Sequence, residues 1–249
     1  HAGHGEFPKI VLTPGDVDEM IRLTAEAFNL ADIYQTPVIV MSDMFLSESH
    51  TTISSSNVNR LFSSMNPNRG KTVMSPTDRP YLRYKVTADG ISERLIPGAK
   101  GHFYQANSYE HSEDGHTSET AEDRKAQVEK RNRKQGTYLT HHFKMPTVYG
   151  DLKSAQTVLV CCGSIKGVCL EAMSQRKDVA VIHLTHVYPL DQKRMQILFG
   201  NSDKYVLVEQ NSTSQLGLLL RQQTGINIER RILRYDGRPL TASEIIEQL

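Results

Sequence analysis

Several places in this 249-residue chain gather side chains that could do chemistry. Glu110, His111, Glu113, Asp114 and His116 fall in one short stretch that could take a cation, and a solvated acidic turn would read the same way. Metal binding needs three or four ligands converging in space. His183 and His186 cannot begin such a set, because residues three apart in a strand point to opposite faces. Gly163 and Ser164, between an apolar run and a helical pattern, make a possible anion site, since a strand-to-helix turn offers free N–H groups and the helix dipole. The motif around them is neither a dinucleotide fingerprint nor a P-loop, and Ser164 as a plain helix cap competes with the anion reading. Glu209, Asn211 and Ser212 fall at the C-terminal end of a strand, the edge where open α/β sheets place ligands. Asp43 holds the equivalent place after an earlier strand. There is no Ser-His-Asp order, nucleophile elbow or metalloprotease helix, so the residues alone name no catalytic group.

Three cysteines, Cys161, Cys162 and Cys169, contain no C-x-x-C pair, so cysteines of this chain alone bind neither zinc nor an iron–sulfur cluster. They read as reduced, buried thiols of a cytoplasmic protein. Lys+Arg of 29 against Asp+Glu of 28 leaves a net charge of +1, too little to draw nucleic acid or an anionic membrane. No apolar run nears the ~20 residues that span a bilayer. At 38% hydrophobic and 23% charged, the composition sustains a packed core and excludes collagen, a disordered tail and a disulfide scaffold.

These residues need elements to hold them. KIVLT (9–13) reads as a strand and Asp16 with Glu19 as a capping-box-like helix start. Met20, Leu23, Ala27, Leu30 and Ala31 form the helix's buried stripe, and VIVMSD after Pro37 is a second buried strand. One βαβ unit cannot bury both faces of its strands. Together with an opening His-Ala-Gly-His-Gly that lacks Met, this reads as the end of a domain begun elsewhere. Residues 51–150 read as a long connection with short β segments such as YLRYKVT. In it an acidic stretch (110–123) precedes a basic one (124–134), the order that complements a helix dipole; without interleaved aromatics the basic stretch reads as a solvated helix, not a nucleic-acid site. From 151 to 249, QTVLVCC, VAVIHLTHV, KYVLVEQN and RRILRY alternate with four helical patterns, two of them started by Ser212 with Gln215 and Thr241 with Glu244. That alternation predicts a doubly wound α/β domain.

The wording of HAGHGEFPKIVLTPGD, LTAEAFNLADIYQTPVIVMSD, RPYLRYKVTADGISERLIPG, EHSEDGH and ILRYDGRPLTASEI, in collinear order, closely resembles the α subunit of 2-oxoacid:ferredoxin oxidoreductases of the 2-oxoglutarate synthase type. The resemblance implies that 1–50 ends a pyrimidine-side thiamine-diphosphate domain and that 151–249 is a transketolase-C-terminal-like domain. It also implies oxidative decarboxylation of a 2-oxoacid to an acyl-CoA, with electrons passed to ferredoxin, in the cytoplasm and not by this chain alone. Thiamine diphosphate with Mg2+ would sit at the interface with a β subunit that carries a [4Fe-4S] cluster, and coenzyme A would be co-substrate. His4, Glu6, Asp43, Glu110 and His111 are the expected pocket rim, with Ser112 standing where the family has Asp. Two readings compete: a transketolase or 2-oxoacid dehydrogenase E1-type chain, and a non-catalytic module for subunit assembly.

Overall fold

A short apolar strand, β1 (Ile10–Leu12), turns through Pro14 and Gly15 into helix α1 (Val17–Tyr34) and returns as β2 (Val38–Val40). The helix starts where expected because Asp16 Oδ1 accepts the Glu19 backbone N–H at 2.8 Å, satisfying one orphan donor of its first turn. The Glu19 side chain does not reach back to Asp16, so the box is only half formed; its Oε2 accepts the Gly15 N–H instead, at 2.7 Å. This computed structural model describes residues 6–77, 79–200 and 203–249.

Two short helices follow, α2 (Met44–Glu48) and α3 (Ser55–Ser64), capped by the side chains of Asp43 and Ser54. The YLRYKVT run forms no strand. A two-residue parallel pair, β3 (Thr72–Val73) with β4 (Arg94–Leu95), lies on either side of it in sequence. Helix α4 (Ala121–His141) is capped by Thr120, and Glu122 and Asp123 in its first turn complement the dipole. It is longer than the basic stretch suggested and is not solvated all round, since Gln127, Lys130 and Tyr138 are buried.

The remaining elements are β5 (Thr147–Tyr149), β6 (Thr157–Cys162), α5 (Ile165–Gln175), β7 (Val179–Leu184), β8 (His186–Tyr188), α6 (Gln192–Phe199), β9 (Tyr205–Glu209), α7 (Gln215–Thr224), β10 (Arg230–Leu233) and α8 (Ala242–Ile246). Five strands form a sheet of order β10-β9-β6-β7-β5, parallel except for β5, which runs antiparallel along β7. Leu159, Val181 and Val206 pack with Cys169 of α5 and Ile245 of α8 on one face. On the other, α7 comes so close that a Cβ on Gly217 would lie 2.6 Å from Leu207 Cδ2. Helices cover both faces, as expected for a doubly wound sheet.

The run VAVIHLTHV is not one strand. It breaks at Thr185, and β8 leaves to pair antiparallel with β1 in a second sheet, β2-β1-β8. Thr13 holds the break, its N–H on Thr185 O and its hydroxyl on Leu184 O. The Thr241–Glu244 capping box forms with both bonds in place. The Ser212–Gln215 box does not, because Ser214 is the N-cap of α7, without a side-chain cap bond. The chain divides into two units discontinuous in sequence. One takes residues up to Lys9, Phe28–Val38 and Asn66–His142; the other takes Ile10–Ala27, Ile39–Met65 and Phe143–Leu249.

Candidate functional site

The chain runs from β6 to β7 on one side and reaches β9 on the other, so the winding reverses between β6 and β9, the place where open α/β sheets leave a crevice for ligands. The N-termini of α5 and α7 follow these two strands. Both hold a carboxylate of the chain itself. Asp43 Oδ2 accepts the Ser164 N–H at 2.8 Å, while its Oδ1 caps α2 through the Leu46 N–H at 3.0 Å. A Cβ on Gly163, whose φ is +67°, would lie 2.9 Å from the same Oδ2. The structure thus brings Gly163, Ser164 and Asp43 together, with the carboxylate in the position of the anion; the Ser164 hydroxyl makes no cap bond. At α7, buried Glu209 accepts from Leu216 N at 2.9 Å, Gly217 N at 3.1 Å, the Ser214 hydroxyl at 3.3 Å and Asn211 Nδ2 at 2.6 Å.

Two cavities, of about 550 and 570 Å3, share Phe45, Ser164 and Gly167 in their walls. The first is otherwise largely apolar, with Ile165, Val168 and Leu240, plus Gln210 and Glu171. Gly15, Asp16 and Asn57 help line the second. Phe45 is 56% exposed.

Beside the second cavity lies a charge cluster in which Lys166 and Glu19 are buried and Asp16 is half-exposed. Lys166 Nζ donates to Asp16 Oδ2 in a very short contact and to Glu19 Oε1 at 2.7 Å. Burial alone would lower the lysine's pKa, but the bonds and charges of the two carboxylates hold it well above the ordinary value. Fully buried His183 stands 3.9 Å from Glu19 through Nδ1, and neither ring nitrogen meets a partner at full hydrogen-bond geometry. Burial, aided by the Lys166 charge, outweighs the nearby carboxylates and the Gly163 backbone and pushes its pKa down to about 4. Sequence reasoning missed this cluster. Asp16 and Glu19 read only as a helix start, and nothing local links Asp16 to Lys166, 150 positions away.

The 110–116 stretch is consumed internally. Glu110 takes Arg131 at 3.0 and 2.6 Å and Arg124 at 2.9 Å. Burial would raise its pKa, but these guanidinium bonds bring it to about 2. Asp114 accepts from the Ser112 hydroxyl at 2.7 Å and His116 N at 3.1 Å, and Glu113 from Val86 N at 2.6 Å. The His111 ring stacks on Tyr84 with centroids 3.8 Å apart. Glu6 is exposed, and His4 lies outside the described residues. Among the described residues no three His, Cys, Asp or Glu side chains are placed to hold a metal ion, and no helix is long and apolar enough to cross a membrane. With carboxylates at both helix N-termini, these residues do not fit a diphosphate–Mg2+ group by themselves.

Residues 3–130 match the family described as pyruvate flavodoxin/ferredoxin oxidoreductase, thiamine diphosphate-binding. Over its whole length the chain is 34% identical to the α subunit of 2-oxoacid:ferredoxin oxidoreductase 1 of Sulfurisphaera tokodaii, of which it covers 39%. It is 28% identical over 213 residues to the 2-oxoglutarate synthase subunit KorA of Methanocaldococcus jannaschii, a match that takes in 84% of this chain and 54% of that one. The 2-oxoglutarate:ferredoxin oxidoreductase of Magnetococcus marinus, solved with 2-oxoglutarate, coenzyme A and succinyl-CoA bound, superposes with a TM-score of 0.84 at 27% identity, covering 99% of this chain and 42% of that one. The chain therefore spans about two-fifths of the length of such relatives.

Proposed function

The chain belongs to the thiamine diphosphate-binding family of pyruvate flavodoxin/ferredoxin oxidoreductases, and from that premise we propose that it is a portion of the α subunit of a 2-oxoacid:ferredoxin oxidoreductase. The observation that carries this is the collinear match along its full length to such α subunits, at 29–34% identity. The reaction is oxidative decarboxylation of a 2-oxoacid, 2-oxoglutarate in the first instance, to an acyl-CoA. Two electrons pass to ferredoxin. The KorA and Magnetococcus relatives support that choice of substrate.

Thiamine diphosphate, when bound, supplies the electron sink for loss of carbon dioxide. The described residues hold no Mg2+ set, so the diphosphate, its Mg2+ and the [4Fe-4S] cluster are assigned to a β subunit, with coenzyme A as co-substrate. In this reading the chain's own residues position and enclose. Asp43 ties the loop after β2 to the α5 N-terminus, and Glu110, clamped by two arginines, holds the segment that carries His111. His4, Glu6 and His111 are assigned to a substrate-pocket rim on the family resemblance alone.

The test is to purify the full-length α subunit with its β subunit and follow ferredoxin or viologen reduction. Reduction should require both 2-oxoglutarate and coenzyme A. Turnover of pyruvate but not 2-oxoglutarate would overturn the substrate; no reduction with any 2-oxoacid would overturn the function.

A further inference from the structure

The segment from Tyr81 to Gly90 is laid against α4 through its backbone. Gln127 and Lys130 both donate to the Tyr84 carbonyl, at 3.1 and 2.9 Å; Arg133 donates to Thr87 O at 3.0 Å and the Thr137 hydroxyl to Asp89 O at 2.8 Å. This docking leaves Lys130 only 5% exposed. Its ammonium has three donors, and a single acceptor meets them. One turn on, Lys134 Nζ donates to Gln35 O at 2.8 Å. Neither lysine is within ion-pair distance of a carboxylate among the described residues, whereas Arg131 between them gives its charge to Glu110.

Arg83, on the docked segment, stands over two rings, its guanidinium carbon 5.3 Å from the Tyr84 centroid and 5.9 Å from that of Tyr104. The Lys130 ammonium lies 5.9 Å from the same Tyr84 centroid. Arg83 has no hydrogen bond or ion pair among the described residues. The crowding also lowers the pKa values of both lysines. Burial first, then the charges of Lys134, Arg83 and Arg131, bring Lys130 down to about 7, with Glu113 only partly offsetting them. Burial, Arg83 and Arg131 bring Lys134 down to about 8.

Burying cations without full counter-charge is costly, and Glu113 offsets only part of that charge here. We propose that Arg83, Lys130 and Lys134 form an anion site for a phosphate or phosphoester group beside the Tyr84 and Tyr104 rings. A phosphoryl group carries up to two charges and several acceptor oxygens. That matches a guanidinium fork with two ammonium groups whose donors are mostly unspent better than a lone carboxylate does. The site does not depend on the proposed function. Free phosphate and the phosphates of coenzyme A share the chemistry that it reads.

Inorganic phosphate, pyrophosphate and coenzyme A are titrated into the full-length protein at constant ionic strength, with chloride as the control anion and calorimetry as the readout. At least one phosphorus compound should bind saturably. Arg83→Gln should weaken it about tenfold or more, the worth of one charge-assisted hydrogen bond, with partial recovery in Arg83→Lys. Arg83 makes no bond that holds the fold, so these variants keep the wild-type circular dichroism; Lys134→Met serves as a second variant with the same expected loss. Binding by coenzyme A alone identifies a cofactor's phosphates as the source, and binding by phosphate or pyrophosphate identifies the free ion. No saturable binding by any of the three, or binding indifferent to both Arg83→Gln and Lys134→Met, overturns the site.

Discussion

Lys166 and Lys130 are both buried lysines, yet one is held charged far above neutral pH and the other is poised near pH 7. The difference is the company each keeps. Lys166 meets Asp16 and Glu19, within the unit that also sets Asp43 on the α5 N-terminus and Glu209 on that of α7. Lys130 meets a carbonyl oxygen and other cations. The unit built on the doubly wound sheet neutralises its own charge, and the unit built on α4 leaves a place for an anion from outside.

The sharpest way to break the contrast is Lys166→Met. Removing one partner of a buried ion pair leaves the others unpaired, and the loss should be about 3 kcal/mol of unfolding free energy in a denaturant titration. A loss below about 1 kcal/mol would place Lys166 with ordinary surface pairs and dissolve the comparison.

The next effect separates the two regions by pH. His183 titrates near 4 in the folded chain against 6.5 as its ordinary value. The unfolded chain then binds more protons between those limits, so this contribution is full above about 6.5 and fades as pH falls toward 4. Lys130 and Lys134, near 7 and 8 when folded against 10.5 ordinarily, obey the same sign higher up, and stability rises with pH from about 7 towards 10.5. Two separate rises of about 1–3 kcal/mol each are expected in the pH profile of the denaturation midpoint. His183→Gln should flatten the acid step, and Lys130→Met should shrink the alkaline one to the part that belongs to Lys134; an alkaline step unchanged in Lys130→Met would remove burial of that amine as a cause.

The smallest effect is Asp43→Asn. The variant keeps a side-chain oxygen for the α2 cap but loses the negative charge at Ser164 N, and should cost about 1 kcal/mol. Sulfate should stabilise this variant more than the parent in thermal melts. Equal response in both would mean that the carboxylate does not stand in for an anion there.

What could be read from the sequence follows the range of the signal. The strand and helix alternation after residue 150, the Thr241–Glu244 box and the Asp16 cap are short-range features, and they appear where the residues put them. The run at 179–187 misled because a buried strand has the same apolar text in either sheet, and only the Thr13 bonds to Leu184 and Thr185 divide it. The basic stretch at 124–134 misled because a polar helix face is buried once a neighbouring segment offers carbonyls to its lysines.

At the candidate site the division is sharper. The residues by themselves determined the fold class and that Gly163–Ser164 and Asp43 stand at strand-end turns, since turn chemistry and helix starts are written within a few positions; the family came from the resemblance of whole segments. Only the tertiary structure decided that Asp43 is the anion at Ser164, 121 residues away, and that Lys166 belongs to Asp16 and Glu19 while Lys130 donates to the Tyr84 carbonyl. A charge's partner is whatever packing brings within about 3–4 Å, and periodicity in a sequence carries no record of that distance.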